Sequence, residues 1–354
     1  PSEDIRFRAS FQRAVRAPNI FELFSPNSLG LFDLAEGSNG LYDPCAGEDP
    51  AATLEQCART GVTAAQYGEI ADNPAGQFNN LTGGNTDLEP ESSDTVTVGF
   101  VATPRAVEGL TVSVDYFDIE VEDLISTVSE SLTLRNCLET GNEYFCSLIN
   151  RGAGGTLWAN PTGYVIATDI NTGSLSTSGV DIQARYTKDL DSYGTFTFDY
   201  VATWLESLET VPLPTSGPDE IYDCVGYYGA SCGAPNPEYR HKFDVEWTNN
   251  QKLTLSGTWR YYGEVDVSAS SSQPALAGSF AAVNETFDAQ SYFDVSATYD
   301  LSKAVTLRTG VNNIADEDPP LSSIVGTAPG NGNTYPQIYD AFGRYVFFGA
   351  SLNF

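Results

Sequence analysis

The sequence predicts an all-β chain: an antiparallel transmembrane β-barrel segment of ten strands with long polar loops. Three observations carry this. Apolar and polar residues alternate at period two in ten separate segments. The connections between those segments alternate short and long. No stretch approaches the roughly 18 consecutive apolar residues of a membrane-spanning helix, so any span must be built of strands.

Composition narrows the class further. The 354 residues include 17 Lys and Arg against 47 Asp and Glu, a net charge of −30. Nothing supplies the basic stripe that phosphate recognition needs, so nucleic acid is excluded as a partner. Simple adhesion to anionic lipid is disfavoured for the same reason. With 41% hydrophobic and 18% charged residues the chain is not a disordered acidic segment. The 19 Tyr, 19 Phe and 32 Gly suit strands joined by loops. The chain opens at Pro1 without Met or a signal peptide, and is expected to be a mature product or a piece of something longer.

The strands follow in order. The first sets Ile5, Phe7, Ala9 and Phe11 against Arg6, Arg8 and Ser10. The second sets Val96, Val98 and Phe100 against Thr95, Thr97 and Gly99. The third sets Leu110, Val112, Val114 and Tyr116 against Thr111, Ser113 and Asp115. The fourth carries Val180, Ile182, Ala184 and Tyr186, and the fifth Phe196, Phe198, Tyr200, Ala202 and Trp204. The sixth sets Phe243, Val245 and Trp247 against Lys242, Asp244 and Glu246. The seventh carries Leu253, Leu255 and Trp259, the eighth Phe293, Val295, Ala297 and Tyr299, and the ninth Val305, Leu307 and Val311. The tenth ends the chain with Val346, Phe348, Ala350, Leu352 and Phe354 on one face. Val112, Val245, Leu255, Val295 and Leu352 are expected to face lipid, and Ser113, Asp244, Ser256, Ser296 and Asn353 the lumen. A soluble sandwich would alternate too, but aromatics crowd the strand ends (Tyr116, Tyr186, Trp204, Trp247, Trp259, Tyr261, Tyr299), as interfacial girdles do.

Short connections fall at 103–109, 188–193, 249–251 and 301–303. Long ones fall at 14–93, 126–174, 207–238, 265–288 and 313–340. The long segments hold 28 acidic and 4 basic residues, so they carry most of the negative charge. A solvated outer surface is the plain reading of that charge. A collar for divalent cations or a cationic ligand is the sharper one. Loops of this size suit a wide barrel rather than a narrow, side-chain-filled one.

Six cysteines lie in three close pairs inside these loops. Nearest-neighbour pairing, the simplest of 15 possibilities, gives Cys45–Cys57, Cys137–Cys146 and Cys224–Cys232. There is no C-x-x-C and one histidine, His241, which argues against zinc. Loop disulfides imply an oxidising compartment.

At this point the residues resemble a family. The run from Arg8 through Arg16-Ala17-Pro18-Asn19 to Phe24 is similar to the barrel motif of TonB-dependent outer-membrane receptors. Gly84-Asn85-Thr86-Asp87-Leu88-Glu89-Pro90-Glu91 resembles the segment that precedes a strand in that family. Tyr116-Phe117-Asp118-Ile119, Gly179-Val180-Asp181 and Gly310-Val311-Asn312-Asn313 fit its later strands. Phe348, Leu352 and Phe354 match its barrel-assembly terminus, which would be periplasmic and would place every short turn there and the long loops outside. The resemblance implies a 22-stranded barrel with an N-terminal plug, in a bacterial outer membrane, of which residues 1–354 would be the C-terminal portion. It implies TonB as a partner through the N-terminal part that this chain lacks, outer-membrane lipid and lipopolysaccharide around the strands, and a small-molecule or oligosaccharide cargo. Open sheet edges in lipid are costly, which supports the same reading.

No catalytic constellation stands out, so the chain is expected not to be an enzyme, and no cofactor or metal is expected. His241 reads as structural or interfacial. Gly152–Gly155 and Gly330–Gly332 read as loop tips. Candidate ligand contacts are loop aromatics, above all Tyr144, Trp158, Tyr227, Tyr228 and Tyr335, which offer stacking faces with polar tips. Loop packing is the alternative reading of the same rings. The expected function is energised import of a scarce nutrient, against a passive porin or a surface barrel without energy coupling. The negative loop field would repel anionic chelates, which favours an oligosaccharide or other organic nutrient over a ferric siderophore.

Overall fold

The computed structural model describes residues 4–37, 39–213, 216–249, 252–324 and 332–353. Ten strands form one continuous antiparallel meander in chain order: β1 (Ile5–Arg16), β2 (Glu91–Ala102), β3 (Leu110–Glu122), β4 (Ser174–Asp189), β5 (Thr195–Val211), β6 (Tyr239–Thr248), β7 (Leu253–Tyr262), β8 (Gln290–Ser302), β9 (Val305–Asn312) and β10 (Tyr345–Leu352). All ten alternating segments are strands. Several run further than alternation marks, because polar strand ends still complete each other's backbone ladder. The β4–β5 hairpin reaches 16 and 17 residues this way, with a register shift at Ser178/Gly179. The sheet is open, with β1 and β10 at its edges, and among the described residues these do not pair. Among the described residues, no helix is long and apolar enough to cross a membrane.

Register assigns the faces. Val245 lies opposite Gly257, Gly257 opposite Val295, and Val295 opposite Val311, so all share one face. Val112 joins that face through Ala184 and Tyr200, Leu255 through Trp247 and Ala297, and Leu352 through Val305. None of the described residues covers it: Phe7 is 77% exposed and Phe11 65%. A sandwich would bury these rings, whereas lipid leaves them bare of protein. At the long-loop end of this face His241 is packed among Trp259, Tyr261, Tyr239 and Tyr200, with ring centroids 4.4 to 5.6 Å away. At the short-turn end the Trp247 indole N–H donates to the Tyr193 carbonyl at 2.8 Å.

The opposite face is a ladder of charge. Arg8 pairs with Asp115, Lys242 with Asp244 and Arg260 with Asp294. Arg8 reaches Asp115 across the intervening strand only because Gly99 has no side chain; a Cβ there would strike the Asp115 carboxylate and the Val114 carbonyl.

The hydrophobic cores lie mainly in the loops, the one around Tyr228 also taking in Tyr292 near the start of β8. The first two long loops fold together as one lobe. It contains a small four-stranded sheet (Ser28–Asp33, Gln77–Thr82, Tyr164–Ile166, Ile149–Asn150) and helices α1 (Ile20–Phe24), α2 (Leu54–Arg59), α3 (Glu130–Thr140) and α4 (Glu143–Ser147). One core packs Phe32, Phe78, Leu134, Phe145, Leu157 and Val165, and a second packs Cys45, Cys57, Val62, Ile70 and Leu138. The later loops form a second lobe around Tyr228, Val265, Val267, Phe287, Tyr292, Tyr335 and Tyr339. Disulfides Cys45–Cys57, Cys137–Cys146 and Cys224–Cys232 close at 2.08, 2.09 and 2.06 Å. Loops expected as a solvated surface are therefore folded bodies with interiors of their own.

Candidate functional site

The two lobes leave a groove between them of about 660 Å³, a size suited to a small organic ligand. One wall is α3 and the segment leading into it. The Ser129 hydroxyl caps α3, accepting the Leu132 N–H at 3.3 Å. Gly141 ends it in the left-handed region at φ 68°, its N–H donating to the Cys137 carbonyl. Leu134, Asn136, Cys137 and Leu138 are buried on the lobe side, and the disulfide to α4 fixes that face. Spacing of four then puts Ser131, Arg135 and Glu139 together on the outward stripe.

The rest of the lining comprises Thr210–Leu213, of which Leu213 packs into the first lobe's core, with Ser216, Glu220 and Tyr222, then Ala230 and Ser231 beside the third disulfide. Hydroxyls are frequent: Ser126, Thr127, Ser129, Ser131, Thr172, Thr210, Ser216, Tyr222 and Ser231 line the groove, interleaved with apolar residues such as Val128, Leu132 and Val211. Its charged residues are Arg135 and Glu220. Glu220 is occupied, accepting the Gly217 N–H at 2.9 Å. The buried Asn136 side-chain nitrogen, in the α3 wall, has no hydrogen-bond partner among the described residues.

The two motif segments, 75 residues apart in sequence, are neighbours in the sheet. Arg16 stands opposite Glu91 in register, bonds its carboxylate, and also bridges to Glu22 at 3.0 Å. Glu22 in turn accepts the Asn19 N–H at 2.8 Å as half of the capping box of α1. Glu91 accepts the Ile125 N–H at 2.8 Å. One guanidinium therefore ties the first loop's entry to the exit of the first and the start of the second. On the polar face, Arg260 bonds Asp294 and Asp340 and lies over the Tyr292 ring at 5.1 Å. The Asn313 N–H donates to Asp294 at 2.7 Å. This cluster clamps the last long loop to the sheet beside a second cavity of about 520 Å³.

The sequence-predicted aromatic contacts are dispersed, and none of the five lines the groove. Tyr144 is exposed, edge-on to Phe145. Trp158 packs against the first lobe's core and donates its indole N–H to the Ala71 carbonyl at 3.1 Å. Tyr227 is half-buried in a short strand beside Asp266. Tyr228 is fully buried, stacked on Phe287 at 4.0 Å, its hydroxyl donating to the Asn284 carbonyl at 2.6 Å. Burial pushes that phenol up to about 12. Tyr335 is buried edge-on to Tyr228. These last two rings are enclosed because apolar area in a folded loop gains most from a core. Phe348 and Leu352 lie on the apolar face of β10; Phe354 lies outside the described residues. Tyr222, another loop aromatic read as a candidate contact, does line the groove, whereas Arg135 and the Ser and Thr hydroxyls were not singled out from the sequence. The available signal was the scarcity of loop cations.

Comparison with known proteins fits this architecture. The family model described as TonB dependent receptor-like, beta-barrel matches residues 1–314. No curated protein matches the chain. Among solved structures, the fold is similar to that of a mutant ferric enterobactin receptor from Pseudomonas aeruginosa in complex with enterobactin. The TM-score is 0.58 at 16% identity, over 99% of this chain and 39% of that receptor. It is also similar to the siderophore receptor PirA from Acinetobacter baumannii, with a TM-score of 0.54 at 15% identity, over 100% of this chain and 39% of that one. The chain thus spans about two fifths of the receptors it matches, and at these identities the likeness is one of fold.

Proposed function

The chain belongs to the TonB-dependent receptor family through its β-barrel domain, and from that premise we propose that the intact protein imports a scarce, hydroxyl-rich organic nutrient across the bacterial outer membrane. An oligosaccharide is the cargo class favoured, and TonB supplies the energy. Residues 1–354 act as the C-terminal portion of a larger closed barrel, since the open sheet edges need partners in lipid. The long loops face outward and the short turns the periplasm. Lipid and lipopolysaccharide cover the uncovered apolar face. We read the protein as a transporter rather than an enzyme.

The observation that carries the cargo class is the groove between the lobes: hydroxyl-lined, bounded by disulfide-braced walls, and set in strongly acidic loops. Hydroxyl walls exchange hydrogen bonds with sugar hydroxyls in both directions. A second reading, a ferric siderophore, is favoured by the enterobactin receptor of the same fold, and is opposed by the acidic loop field.

Growth under limitation tests the proposal. A deletion strain complemented with the full-length gene should grow on limiting oligosaccharide only when TonB is functional. Equal growth without TonB would leave a passive pore as the better account. Rescue by ferric siderophores under iron limitation, and not by sugars under carbon limitation, would transfer the cargo to the second reading.

A further inference from the structure

Charge pairing in the long loops leaves one cation over. Of the four there, Arg16 is held by Glu91 and Glu22. Arg59 bonds the Leu138 and Glu139 carbonyls and Glu55. Arg151 is buried against Asp43. Arg135 makes no ion pair or hydrogen bond among the described residues, although acids outnumber cations 28 to 4 in these segments. The acids nearest in sequence or across the groove are engaged elsewhere or misplaced. Glu130 takes the Asn80 side-chain amide, and Glu220 takes the Gly217 N–H. Glu139, one turn along the same helix stripe, does not come within ion-pair distance.

We propose that Arg135 is a carboxylate-recognition residue, and that the groove takes a hydroxyl-rich ligand bearing a single carboxylate, as in an oligosaccharide containing a uronic acid. The inference rests on the import reading above and names the chemistry of its cargo. A guanidinium presents a planar fork that matches a carboxylate in two parallel bonds. The hydroxyls beside it are set for both roles. Ser129 already accepts the Leu132 N–H, leaving its own O–H to donate. Thr172 already donates to the Leu124 carbonyl at 2.7 Å, leaving its oxygen to accept. The acidic loops act as a filter: one carboxylate is compensated at contact by Arg135, while further negative charge meets only repulsion. A ferric hydroxycarboxylate chelate shares the carboxylate-and-hydroxyl chemistry, so the test separates the two sources.

The experiment is calorimetric titration of the purified full-length receptor with an aldotriouronic acid (one glucuronate on xylobiose), neutral xylotriose and ferric citrate. One acidic oligosaccharide should bind at least about tenfold tighter than its neutral counterpart, the effect of a hydrogen-bonded charge. Arg135→Gln should bring that ratio close to one, Arg135→Lys should keep part of it, and Lys303→Gln, a charge loss in the β8–β9 turn, should leave it intact. Preference for ferric citrate, lost in Arg135→Gln, would keep the role of Arg135 and move the cargo to a chelate. Equal binding of acidic and neutral sugars by the native protein, or an unchanged ratio in Arg135→Gln, would overturn the inference. If the neutral sugar is still bound and imported through TonB, the import reading survives that result. If none of the three probes binds, both readings fall.

Discussion

Asp43 and Arg151 lie 108 residues apart and meet inside the first lobe with both side chains 2% exposed. Arg151 bonds the carboxylate at 2.7 and 3.0 Å, the Gly155 carbonyl at 2.8 Å and the Thr60 hydroxyl at 2.8 Å. Asp43→Ala would leave a buried guanidinium without its counter-charge, at a cost of about 3–5 kcal/mol. Urea titration read by the fluorescence of Trp158, in the same lobe, should register it; a loss below 1 kcal/mol would show that the pair is hydrated. The buried phenols give a pH-dependent counterpart. An ordinary tyrosine titrates near 10, while burial moves Tyr228 to about 12 and Tyr335 upward. The unfolded chain therefore releases these protons first. The stability they represent is complete below about pH 10 and is lost as pH rises toward 12. Proteolysis of the second lobe should accelerate over that window, and less so in Tyr228→Phe. Neither feature was legible in advance. Asp43 looks like any other loop acid, and Tyr228 like any loop aromatic, until a distant partner is in place.

The strands were legible because a sheet with unlike surroundings on its two faces must alternate residue by residue, and a slip of one would turn every side chain over. Val245, Leu255 and Val295 carried that signal without help from tertiary contacts. The loop elements carried none. α2 and α4 are one or two turns long, too short to show a period or to persist alone. They are held by contacts between the first and second long loops and by cross-links. The cysteine pairs were readable as neighbours, but not the helices they fasten. Cys137→Ser with Cys146→Ser removes the bond between α3 and α4, closed over 9 residues. The loss should be about 2–3 kcal/mol in the chain-entropy account. Hydrogen exchange should rise in α3 and in the groove wall while the β3–β4 ladder stays protected. Exchange spreading into the sheet would mean that lobe and barrel unfold as one unit.

At the scale of the molecule, sheet and loops divide the labour: the ten strands supply a wall with one apolar and one charged face, and the lobes above supply the interior packing and the groove. Spin labels at Val295→Cys and Ser296→Cys in the full-length protein should report opposite environments. The first should be reached by oxygen dissolved in lipid and the second by a water-soluble relaxant; identical profiles would contradict the face assignment. The family resemblance made the wall and its membrane legible. The groove depends on how two loop bodies meet and was not. The central claim is that cargo is captured by the loops and then moved only when energy is supplied. The most direct test is to measure surface binding and initial uptake of one labelled ligand in the same intact cells, with and without TonB. The account predicts unchanged binding and abolished uptake when TonB is absent. Uptake that continues at the same rate without TonB would contradict it.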